Sequence, residues 1–77
     1  MSDRNARLNW IQAQLIKADY VITSDGLDQL HGELKADIDG ARDEALISFR
    51  EHDILTRRAS VVIEDRRQEL APVRVSA

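Results

Sequence analysis

One apolar stripe constrains this chain more than any other feature. Leu27, Leu30, Leu34, Ile38, Ala41, Ala45, Phe49 and His52 recur in steps of three and four residues through the middle of the sequence. The steps repeat every eleven residues, a period that keeps one face in register along a nearly straight α-helix. A helix with one apolar face must bury it against another element. The fold class expected is therefore all-α: a small helical bundle or a long helical hairpin of three to four helices. Unbroken from Ser24 to His52, the central helix would run about 43 Å. Gly32 and Gly40 weaken it, each by about 1 kcal/mol relative to alanine. If the segment 24–52 divides, Asp39-Gly40 is the expected break.

The flanks read as shorter helices. A first helix is expected over about 3–19, capped by Ser2, with Leu8, Ile11, Leu15 and Ala18 on one stripe. Trp10, Ala13 and Ile16 lie off that stripe. The β-branched run Tyr20-Val21-Ile22-Thr23 is a linker or one short strand, and Thr23-Ser24-Asp25-Gly26 is a turn and helix cap together. A third helix is expected over about 54–70, capped by Asp53. The competing reading is a C-terminal hairpin, with 59–64 as a strand, 65–68 as its turn and 69–75 as its return. Pro72 would remove a ladder donor from that return. The tail 71–77 is read as extended.

Size and composition narrow the possibilities. A chain of 77 residues makes one domain, and at this size one core gives marginal stability. There are no cysteines, so disulfides cannot supply the rest, and self-association is the expected supplement. The longest apolar runs, Tyr20-Val21-Ile22 and Val61-Val62-Ile63, fall far short of the roughly 20 residues that span a bilayer. No apolar signal segment opens the chain. A soluble, cytoplasmic protein without a membrane partner is expected.

Charge is strongly segregated. Residues 1–18 carry Arg4, Arg7 and Lys17 against Asp3, and residues 54–77 carry five arginines against Glu64, Asp65 and Glu69. Between them, 19–53 holds ten acids against Lys35, Arg42 and Arg50. In one account the acidic central helix lies between two basic neighbours, its charges setting the packing partners. In the other, Asp37, Asp39, Asp43 and Glu44 form an exposed face that docks on a basic surface of another protein. Trp10, off the first helix's stripe, is a candidate interface anchor, because tryptophan concentrates binding energy at interfaces.

Little in the sequence points to catalysis. His31 and His52 are separated by about 31 Å on a continuous helix, too far to share a metal within one chain. No carboxylate loop, cysteine nucleophile, phosphate loop or dinucleotide fingerprint occurs. The chain is expected not to be an enzyme and to need no cofactor or small-molecule substrate.

Arg7-Leu8-Asn9-Trp10-Ile11, Leu15, Ile22-Thr23-Ser24 and Leu27 resemble the opening of small winged-helix regulators, where a first helix leads through a short strand into a helix-turn-helix. The likeness covers residues 7–31. It implies a DNA-binding transcriptional regulator, yet the segment after it presents Glu33, Asp37, Asp39, Asp43 and Glu44 where phosphate would have to lie. The possible basic contacts are Arg57, Arg58, Arg66 and Arg67, whose two pairs project to opposite sides of a helix. In size and charge the chain also resembles small acidic helical proteins such as phage-encoded inhibitors of nucleic-acid-binding machinery, by analogy rather than by motif. The reading that follows is a non-catalytic regulatory or inhibitory interaction module, dimeric, docking its acidic face on a basic protein surface. The alternatives are the winged-helix or helix-turn-helix regulator and a structural subunit of a larger assembly.

Overall fold

A computed structural model describes residues 3–71. They form three α-helices, α1 (Asp3–Lys17), α2 (Ser24–Asp43) and α3 (Phe49–Leu70), with a 3-10 turn over Ala18–Tyr20 after α1. No strand occurs among the described residues, so the fold is all-α. The short strand that the winged-helix resemblance implies near Ile22 is not formed. The C-terminal hairpin is also corrected: 59–70 is helix. Ser2 and the tail beyond Ala71 lie outside the described residues.

α2 forms the axis of the structure. Its buried residues are Leu27, Leu30, Leu34, Ile38 and Ala41, the first five members of the sequence stripe. Against them pack Ile11, Leu15 and Ala18 from one side and Ala59 and Ile63 from the other, with Ile47 from the connecting loop. α1 and α3 both run antiparallel to α2. The start of α1 reaches the end of α2, where Arg7 donates to the Asp37 carbonyl and to Glu44. The end of α3 reaches its start, where Arg67 donates to Ser24 and Asp28.

Thr23 caps α2, its hydroxyl accepting from the Gly26 N–H at 3.0 Å. A Cβ at Gly26 would lie 2.8 Å from Val21 Cγ1 and 2.9 Å from Thr23 Oγ1, so a larger residue there would have to displace the Val21 side chain and the capping hydroxyl. Gly40, by contrast, lies inside the helix, and the break comes four residues later. α2 ends in a Schellman arrangement, with the Leu46 N–H bonded to the Ala41 carbonyl and the Ala45 N–H to that of Arg42. This puts Ala45 in the left-handed region at φ 58°, a position glycine usually fills, at a cost of roughly 1 kcal/mol for a residue with a Cβ.

The expected continuation of the central helix to His52 is therefore corrected, as is the Asp53 cap. α3 begins at Phe49 behind a capping box in which Ser48 accepts from the Glu51 N–H and Glu51 accepts from the Ser48 N–H. The last three members of the stripe leave the core with this turn. Phe49 is 73% exposed, with the Arg42 guanidinium 4.0 Å above its ring. His52 sits in the first turn of α3, its Nε2 2.7 Å from Asp39 Oδ1.

Glu51 ties the start of α3 to α1. Arg4 donates to both its oxygens, at 3.0 and 2.6 Å, and to the Leu46 carbonyl. The hydrogen bond from Arg4, with that from the Ser48 backbone, holds the Glu51 carboxyl at about 2, below its ordinary 4.5, and the same pairing raises the Arg4 guanidinium. A carboxyl lowered by folding stabilises the fold above its unfolded value and loses that contribution as it protonates. Part of the stability is thus expected to vanish as pH falls from 4.5 to about 2. Melting temperatures measured across that range should fall more steeply for the wild type than for Glu51→Gln; equal slopes would show that the pairing contributes nothing.

Candidate interaction groove

The seam between α1 and α2 carries a run of adjoining grooves. Successive helices that touch along one ridge leave a furrow on the outer side of the contact, and here Trp10 stands in the middle of it. Toward the start of α1, Trp10 borders a groove of about 460 Å³ with Asp3, Ala6, Arg7, Glu44 and Leu46. Toward its end, Trp10 borders a second groove of about 430 Å³ with Gln14, Lys17, Glu33, Ala36 and Asp37. Lys17 and Glu33 continue into a third, of about 200 Å³, that reaches Val21 and Gly26. The seam is thus one furrow divided by the indole.

Trp10 projects from α1 at the border of the buried stripe, 58% exposed. Its Nε1 donates to Asp37 Oδ2 at 3.0 Å, which fixes the ring across the furrow. Gln14, one turn further along α1, donates its amide to the same carboxylate oxygen. Gln14 is only 5% exposed, and its Oε1 is buried without a hydrogen-bond partner among the described residues. Native structures rarely leave such an acceptor empty-handed, because the missing bond costs free energy. The furrow therefore contains an anchored aromatic face beside a carboxylate, with the buried Gln14 amide holding that carboxylate from below.

Four acids border the furrow, Asp3, Glu33, Asp37 and Glu44, against two bases, Arg7 and Lys17. Arg7 is committed to Glu44 and to the Asp37 carbonyl. Glu33 has no ion pair or hydrogen bond within the described residues. The furrow is acidic on balance, with free carboxylate at its Glu33 end.

The other candidate residues from the sequence lie apart. Asp39 turns to His52 on α3. Asp43, at the end of α2, is exposed and makes no ion pair among the described residues. The four acids therefore do not form one surface: Asp37 and Glu44 border the Trp10 furrow, while Asp39 and Asp43 do not. Of the arginines, Arg57 pairs with Asp53 one turn away at 3.4 Å. Arg66 bonds the Val21 carbonyl at 3.1 Å and Glu69 at 2.9 Å, and Arg67 clamps the start of α2. Arg58 alone of the four makes no such contact.

Glu33 carries no signal in the sequence that singles it out. Gln14 sits one turn after Trp10, and that spacing was the available clue. Among the described residues no group of three or more His, Cys, Asp or Glu is placed to hold a metal ion, and no helix is long and apolar enough to cross a membrane. No model of a known protein family, no curated protein and no solved structure matches the chain significantly.

Proposed function

We propose that this protein is a non-catalytic interaction module that receives a basic segment of a partner protein in the acidic furrow around Trp10. The observation that carries the reading is the pairing of Trp10 with Asp37. An exposed indole held rigid by its own hydrogen bond gives up little entropy on binding, and its π-face attracts a cation. The carboxylates beside it then supply charge-assisted acceptors for guanidinium or ammonium groups.

The sequence suggests a regulatory or inhibitory role, and the furrow supports it on chemical grounds. A module that covers a basic surface competes with any polyanion that surface binds. The DNA-binding alternative receives no comparable support, because three of its four basic contacts are engaged within the chain.

Trp10 is the only tryptophan, so its fluorescence reports the site directly. Titration with a heptamer of arginine is expected to change the emission saturably, and more weakly as salt rises. A heptamer of glutamate should leave it unchanged. Equal responses to both peptides, or none to either, would refute the basic-segment reading.

A further inference from the structure

We propose that the outer face of α3 is a self-association surface whose occupant is a second copy of this chain, placed antiparallel about a two-fold axis beside Val61. This surface is separate from the Trp10 furrow, and the inference does not rest on that reading. Ile54, Arg58, Val61 and Asp65 follow steps of four, three and four, so they form one stripe along α3. That stripe points away from the core: Ile54 is 53% and Val61 58% exposed. Ile16 of α1, 53% exposed, widens it across a groove of about 220 Å³ that it shares with Arg58 and Val62.

Charge complementarity identifies the occupant. Arg58 and Asp65 make no ion pair or hydrogen bond among the described residues, whereas Arg57, Arg66 and Arg67 of the same helix are all paired. The two unpaired charges stand at nearly equal distances on either side of Val61. A two-fold axis between Val61 and Val62 therefore brings Arg58 of each copy opposite Asp65 of the other, twice over, with the valines between them. An isologous contact needs a surface that is complementary to itself, and this stripe is. The next register, centred between Arg57 and Arg58, would face Ile54 with Val61 but crowd four arginines around the axis. Opposed like charges disfavour it.

Sedimentation of the full chain across a hundredfold dilution, up to about 1 mM, tests the proposal. The wild type is expected to pass from dimer to monomer over that range. Arg58→Asp and Asp65→Arg each place like charges opposite one another twice, and each should weaken self-association by roughly tenfold or more. An equimolar mixture of the two variants should restore it, because each copy then carries the charge the other lacks. Unfolded chains would not be rescued by mixing, so this arm holds even if one variant is destabilised. A monomer at every concentration would overturn the proposal. So would self-association that survives both substitutions, or weakened variants that fail to recover when mixed.

Discussion

Leu34→Asp is expected to leave this protein without a cooperative fold at room temperature. Leu34 is fully buried at the middle of α2, between Leu30 and Ile38 on the face that both neighbouring helices cover. An aspartate there either stays charged without a partner or takes up a proton, and either course costs several kcal/mol. Cavity formation where the leucine methyls were adds to it. Stabilities of small domains are about 5–15 kcal/mol, and a chain this short belongs at the low end. Far-ultraviolet circular dichroism against temperature reads the result. Phe49→Ala is the control, since that ring is 73% exposed and gives up mainly its contact with Arg42, worth about 1 kcal/mol or less. If Leu34→Asp melts cooperatively at the wild-type temperature, the axis of the fold is not α2.

The second large effect concerns Asp37, which is both a structural acceptor and part of the furrow. Asp37→Ala would deprive the buried Gln14 amide of its bond, when the same side chain already has an unfilled Oε1. It also releases Trp10. Leaving a buried donor unsatisfied costs about 1–3 kcal/mol, which a denaturant midpoint resolves. Asp43→Ala removes an exposed carboxylate with no partner in the described residues, and its effect should stay within about 0.5 kcal/mol. The account fails here if the two variants are equally stable. These two aspartates look alike in the sequence and lie on one helix. The difference between them is rotation: Asp37 turns toward α1, and Asp43 toward solvent.

That contrast shows how far the sequence was legible. The stripe from Leu27 to Ala41 is long, periodic and free of competing signals, so the all-α fold and the axis of its core follow from it. The stripe's last three members misled because Ala45, Phe49 and His52 keep the same spacing after the helix has ended. A local signal was present, Ser48 three residues before Glu51, and it marks the start of α3. The chain reversal itself was hidden, because the left-handed position is held by Ala45 rather than by glycine. Charge segregation likewise suggested an acidic helix between basic neighbours without revealing the pairs. Arg4 and Arg7 hold the start of α3 and the end of α2, whereas Arg57 pairs only within its own helix. Partner choice depends on how each helix is turned about its axis, and composition does not encode that. Trp10 was singled out for its position off the stripe. Its carboxylate partner stands 27 residues away, a distance no local pattern spans.

The reading of the furrow requires a carboxylate that serves a basic partner rather than the fold. Glu33 tests it most directly, because it borders the furrow and supports nothing else among the described residues. Glu33→Lys should melt within the error of the wild type, since an exposed, unpaired charge contributes less than about 1 kcal/mol. Its Trp10 fluorescence should require a several-fold higher concentration of the arginine heptamer to respond, with a shallower dependence on salt. An unchanged peptide affinity together with a lowered melting temperature would contradict the account and make Glu33 part of the scaffold.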